Sequence, residues 1–165
     1  MKIAIGSDHR GNEVRTQLTE TLLRLGHEVQ AYGPAECGQH NGNGACDYPD
    51  VAYPVAQAVS SGAAERGILI CGSGIGMCIA ANKVKGIRAA AAHDEIGAEM
   101  SRRHNDANIL CLPADMLGLR IIDRLVQTWL RTDFEGGRHA RRIQKIAAIE
   151  QGHDPASVEG DSVLS

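Results

Sequence analysis

Aromatic side chains are scarce in this 165-residue chain, at 3% of residues, with one Trp, three Tyr and one Phe. A core without them has to come from Ala, Val, Ile and Leu, which suits helices packed on a buried parallel sheet. A charge excess is missing too. The net charge is −3 and the pI about 6.1, so no nucleic-acid or anionic-membrane surface is expected, and any anion site has to be local. No apolar run approaches the roughly 20 residues of a membrane span. The start, MKIAIGSDHRG, lacks the apolar core of a signal peptide, so a cytoplasmic protein is expected. The five cysteines (37, 46, 71, 78 and 111) include no CxxC pair, which argues against zinc-ribbon or thioredoxin chemistry and makes reduced thiols the default.

What is present is an alternation of short apolar runs with helical stripes. Lys2 to Ser7 predicts a first strand, left by the loop Asp8-His9-Arg10-Gly11. Val14, Leu18, Leu22 and Leu25 recur at helical spacing up to Gly26, and His27 to Tyr32 predicts a second strand. A glycine-rich loop follows from Gly33 to Asp50, whose length reads either as a substrate lid or as a surface insertion of no consequence. A helix is expected after Tyr48-Pro49, running to about Ser61. Further strands are expected at Ile68–Ile70, Ile87–Ala92 and Ile109–Leu112. Between and after them come helices over Glu95–Arg103, along the stripe Met116, Leu119, Ile122, Leu125, Val126 and Trp129, and beyond Gly136-Gly137. The pattern predicts a Rossmann-like, three-layer αβα sandwich on a five-stranded parallel sheet. Residues 1–150 form one domain, and 151–165 a polar C-terminal tail with the look of a disordered terminus.

The stretch GILICGSGIGMCIAANKV, from Gly67 to Val84, concentrates the chemistry. Cys71 closes a doubly buried strand, Gly72, Ser73, Gly74 and Gly76 turn the chain, and a helix is expected from Met77 to Val84. Backbone N–H groups of such a turn converge on anions, and the same field favours a thiolate at Cys71. Topology brings Asp8 and His9 to the same sheet edge. In GGRHARRIQK, Arg138, Arg142 and Lys145 share one helical face, where a phosphate would relieve their repulsion. The rival is a solvated face. His104 is either a general acid or base or a helix cap. His9, His93 and Asp8 lack the ligand spacing of a metal site.

A cysteine phosphatase would need an Arg at the far end of the glycine loop, where Met77 and Cys78 stand. A dinucleotide-binding oxidoreductase would need GxGxxG rather than CGSGIG. A receiver-type binding module would use Asp8 but leave Cys71, His104 and the arginines unexplained.

In order, the motifs SDHRG, DYP at 47–49, GILICGSGIGMCIAANKVKGIRAA, RRHNDAN and EGGRHARR resemble the type B ribose-5-phosphate isomerases and the related galactose-6-phosphate isomerase subunits, from Met1 to about Glu150. The resemblance implies aldose–ketose isomerisation of a phosphorylated sugar, with no metal or other cofactor, in a homodimer or homotetramer with sites between subunits. Cys71 matches the base that moves a proton between C1 and C2, and Ser73 the hydroxyl that shuttles one between the oxygens. The backbone of Gly72, Ser73, Gly74, Ile75 and Gly76 matches the enediolate cradle. His104 matches the ring-opening residue, Asn105 and Asp8 the hydroxyl contacts, and His9, Arg138 and Arg142 the phosphate contacts, the arginines coming from the neighbouring subunit. Some relatives use a Glu where Met77 stands, so the cysteine branch fits better. Asp115 stands where relatives commonly carry a phosphate-binding Arg, so either the phosphate shifts toward Arg138, Arg142 and His9, or Asp115 turns away and pairs with a cation such as Arg120. This leaves the sugar open among ribose 5-phosphate and four- or six-carbon aldose phosphates. A non-catalytic sugar-phosphate binder is the more distant reading.

Overall fold

Among the described residues, five strands, all parallel, make one sheet in the order β2-β1-β3-β5-β4: β1 Lys2–Ser7, β2 Glu28–Tyr32, β3 Arg66–Cys71, β4 Ala89–Ala91 and β5 Ile109–Pro113. They belong to a computed structural model that describes residues 1–33 and 45–158. Parallel neighbours cannot be joined by a tight turn, so helices cross over between them: α1 Asn12–Arg24, α2 Tyr48–Ser60, α3 Ile75–Ala81 and α4 Glu95–Asn105, while α5 Leu119–Arg131 and α6 Arg138–Glu150 follow β5.

The side-chain period of two splits the core. Ile3, Ile5, Ile68, Ile70, Leu110 and Leu112 pack against Leu18 and Leu22 of α1, Ala98 of α4, and Ile122, Leu125, Val126 and Trp129 of α5. Ala4, Leu69, Cys71, Ile109 and Cys111 point the other way, into Val51, Val55 and Val59 of α2 and Met77 and Ala81 of α3. This is the expected three-layer sandwich. The chain leaves β1 in opposite directions toward β2 and β3, so the switch point of the sheet lies between β1 and β3.

Local differences from the sequence expectation have local causes. β4 is three residues long rather than six. At its start Asn82 holds both the N–H and the carbonyl of Ala89 (2.9 Å each), and Asn108 Oδ1 takes the N–H of Arg88 (2.8 Å), so side chains replace the ladder. α3 begins two residues early, at Ile75, and unwinds after Ala81, where the N–H groups of Lys83 and Val84 reach back only three residues. The polar tail is not featureless. Residues 151–158 hold a 3₁₀ turn at Pro155–Ser157, and Lys145 Nζ donates to Pro155 O (2.9 Å). Cys71, Cys78 and Cys111 are free thiols as expected, but Cys46 is disulfide-bonded. Most of the loop expected from Gly33 to Asp50 lies outside the described residues.

Among the described residues, no helix is long and apolar enough to cross a membrane. α5 has the most sharply divided faces, with Leu125 and Trp129 fully buried. Leu125→Ala should lower unfolding stability by about 2–5 kcal/mol. Urea denaturation followed by fluorescence of the single Trp checks this, and an unchanged midpoint would remove α5 from the core.

Candidate active site

The carboxyl edge of the sheet gathers the first half of the predicted site. β1 and β3 are neighbours, and the chain stays paired past the strand, with the N–H of Asp8 donating to Ile70 O (3.2 Å). Asp8 is 5% exposed, and its Oδ1 accepts from the N–H groups of Arg10 (2.9 Å) and Gly11 (3.1 Å), a turn that leaves its second oxygen open. The exposed ring of His9 meets the carbonyl of Cys46 through Nδ1 (3.3 Å). Cys71 is likewise 5% exposed, and Gly74 donates its N–H to Cys71 Sγ (3.2 Å).

The hairpin-like return that makes this possible requires glycine. Gly74 has φ +75°, and a Cβ there would lie 3.1 Å from the backbone carbon of Leu112. Ser73 Oγ accepts from the N–H of Ile75 (3.3 Å), and the first backbone-bonded N–H of α3 is that of Cys78, to Gly74 O (3.1 Å). The N–H groups of Gly76 and Met77 therefore face the turn without a partner among the described residues. α3 has only seven residues, so these individual donors matter more than its summed dipole.

The second half sits elsewhere. His104 and Asn105 end α4, which runs back to the amino edge of the sheet. There Asn108 O accepts from the N–H of Gly67 (2.8 Å), and Arg88 Nε donates to Asn105 O (3.1 Å). From Gly67, paired with Ile109, to Cys71, paired with Pro113, is four strand steps, about 13 Å at roughly 3.3 Å each. Within one chain His104 therefore does not meet Cys71. It stacks instead on His139 of α6, with centroids 4.2 Å apart and planes within 2°. Glu135 Oε2 lies 3.7 Å from His104 Nε2 and 3.6 Å from His139 Nε2, while Arg103 donates Nε–H to Glu135 Oε1 (2.6 Å) and holds that carboxyl below the usual range. Arg138 and Arg142, exposed on α6, make no hydrogen bond or ion pair among the described residues, whereas Lys145 is taken up by the tail.

Three features escaped the sequence reading. His104 is not a helix cap: Asp106 (φ 44°) ends α4, clamped by Arg88 and Arg102. Glu135 and His139 carry no spacing signal that ties them to His104, since packing alone unites them. Asp115 pairs with Arg10, Nε to Oδ2 at 2.5 Å, rather than with Arg120, because both side chains lie over Gly72 at the carboxyl edge. The carboxylate keeps the Arg10 guanidinium firmly charged.

Cys78 is a further thiol, in the helix after the glycine turn. It is held near pKa 7, first by a hydrogen bond with Cys111, whose buried thiol is pushed up. As for a metal, His104, Glu135 and His139 offer ligand atoms within 4.8 Å of one another. Yet one Glu135 oxygen is bound to Arg103, and Arg138 and Arg142 add positive charge around His139, a setting that favours an anion over a cation.

Burial, then the charges of His104, Arg138 and Arg142, hold His139 below the ordinary histidine range, and burial does the same to His27. The folded state thus binds these protons less readily than the unfolded chain. Stability is unaffected well above the unfolded value of about 6.5 and declines as pH falls through it. His139→Gln should lessen that decline between about pH 6.5 and 5. Denaturation midpoints across this range check it, and an identical slope would rule out His139 as a contributor.

The chain as a whole fits one family pattern. The Ribose/Galactose Isomerase family model matches residues 3–146. Ribose-5-phosphate isomerase B of Escherichia coli is 41% identical over 150 residues, covering 91% of this chain and 97% of its own. D-erythrulose-4-phosphate isomerase of Pectobacterium atrosepticum is 40% identical over 150 residues, covering 91% and 95%. The solved structure of Clostridium thermocellum ribose-5-phosphate isomerase B superposes with a TM-score of 0.85 at 48% identity, over 92% of this chain and 99% of that one. The chain belongs to the ribose/galactose isomerase family and is a sugar-phosphate isomerase.

Proposed function

We propose that this isomerase interconverts an aldose phosphate and its ketose by cysteine-mediated proton transfer, in sites that two copies of the chain complete together. The observation that carries the reading is Cys71, a sheltered sulfur at the switch point with a backbone donor on it and open N–H groups beside it. As a thiolate, Cys71 removes the proton from C2 of the open-chain aldose and returns it to C1. Ser73 Oγ moves a proton between O2 and O1. The charge that develops on the enediolate is met by the donors of the Gly72–Gly76 turn, which need no rearrangement to receive it. No step calls for a metal or another cofactor.

Ring opening and phosphate binding draw on the other half as well: His104 as acid, Asn105 joining Asp8 on hydroxyls, and Arg138 and Arg142 joining His9 on phosphate. Because His104, Asn105 and the two arginines lie at the edge of the sheet opposite Asp8, His9 and Cys71, a second copy has to bring its His104 edge to the Cys71 edge of the first. A two-fold pairing does this twice over. Exposed apolar residues on the Cys71 side (Tyr48, Tyr53, Ile75 and Ile79) and on α6 (Ile146 and Ile149) fit such an interface, as homodimer or homotetramer.

The sugar is open between ribose 5-phosphate and other aldose phosphates, since relatives of nearly equal identity are named for different sugars. With Asp115 where an Arg would favour phosphate, we expect ribose 5-phosphate not to be the best substrate. kcat/KM over four-, five- and six-carbon aldose phosphates tests this, and interconversion of none of them sinks the reading. Cys71→Ser should cut turnover by about 10²-fold or more with folding intact, and near-normal activity would end the assignment. Mixing refolded Cys71→Ser and His104→Asn chains should restore about a quarter of wild-type activity, one intact site in each mixed dimer. No recovery from proven mixed dimers would place the whole site within one chain.

A further inference from the structure

One charged pair at the carboxyl edge is used by neither the proton transfer nor the phosphate contacts. Arg10 donates Nε–H to Asp115 Oδ2 at 2.5 Å, joining the loop after β1 to the loop after β5. The pair lies over the bare Cα of Gly72, where a Cβ would come 2.5 Å from Asp115 Oδ2 and 3.1 Å from Arg10 Nε. Its direction is fixed from the backbone on both sides. The N–H of Arg10 bonds Asp8 Oδ1 (2.9 Å), and the N–H of Asp115 bonds Gly72 O (3.1 Å).

Only one nitrogen of the guanidinium and one oxygen of the carboxylate are engaged. The terminal amino groups of Arg10 and Oδ1 of Asp115 make no hydrogen bond among the described residues, and both side chains are about half exposed. A lone Arg here would attract phosphate. Beside Asp115 the pull on a dianion largely cancels, because it meets both charges at similar range. What remains is a neutral surface with N–H donors next to a carboxylate acceptor. That set matches a hydroxyl, which both accepts and donates.

We propose that Arg10 and Asp115 select the sugar by hydrogen-bonding a hydroxyl of its chain, leaving the phosphate to His9, Arg138 and Arg142. This rests on the reading of the site as an aldose-phosphate pocket. A site built to pair a hydroxyl discriminates steeply, since a sugar that misplaces it leaves desolvated donors and an acceptor unmatched.

The test compares Arg10→Gln and Asp115→Asn with the parent, all carrying Cys78→Ala so that Cys71 is the thiol followed. Two quantities are read for aldose phosphates of equal length that differ in configuration at one hydroxyl: kcat/KM, and protection of Cys71 from alkylation. Inorganic phosphate is run as a third protecting compound.

The parent should separate the epimers by about tenfold or more, and both variants should bring the ratio to within about threefold. Protection by inorganic phosphate should be unchanged in Arg10→Gln. A loss of stability alone would lower activity toward every sugar without altering the ratio, so the ratio separates selection from scaffolding. A parent that does not discriminate, or a ratio preserved in both variants, overturns the proposal. Weakened protection by inorganic phosphate in Arg10→Gln overturns it too, by making Arg10 a phosphate ligand. If the parent isomerises none of the sugars, the aldose–ketose reading fails on its own, and the protection ratios still decide what the pair recognises.

Discussion

Because all five strands run the same way, every strand exit lies at one edge of the sheet and every return at the other, and this directional constraint places the chemistry of the protein. Residues that follow β1, β3 and β5 share the carboxyl edge: Asp8, His9, Arg10, Cys71 with its glycine turn, and Asp115. Residues that end a helix arrive at the amino edge, as His104 does at the end of α4. Parallel strands cannot be joined in any other way without a crossover, so no small rearrangement of one chain merges the two groups. In the reading proposed above, a second copy would supply in trans what the sheet direction keeps apart in cis.

The two edges also differ in charge. Around Cys71 the paired groups cancel, Arg10 against Asp115, while the local field comes from backbone N–H donors. Around His104 positive charge accumulates in Arg103, Arg138 and Arg142, and Glu135 offsets only part of it. Bringing the edges together would set a cationic surface beside a donor-lined turn, with the positive charge off to one side of the reacting carbons. This suits a substrate that carries its dianion at one end and develops a single charge at the other.

Much of this architecture was readable in order along the chain. The doubly buried run Ile68–Ile70, the stripes of α1 and α5, and the glycine turn after Cys71 are local patterns whose periods belong to one element each, and those elements are where expected. Boundaries shifted where side chains intervened, as Asn82 and Asn108 did at β4. The topological rule for open α/β sheets sufficed to bring Asp8 and His9 to Cys71, because it depends on strand direction alone.

What the sequence by itself determined is therefore the fold, the edge that carries Cys71, and the family, since these follow from periodicity, turn chemistry and ordered motifs. The tertiary structure alone decided which distant groups meet: His104 with His139 and Glu135, Arg10 with Asp115, and the separation of His104 from Cys71 by the length of the sheet. The physical reason is that periodicity reports only which face of an element is buried. Contacts between side chains on different elements depend on crossing direction, helix length and register, and no residue carries these in its own neighbourhood.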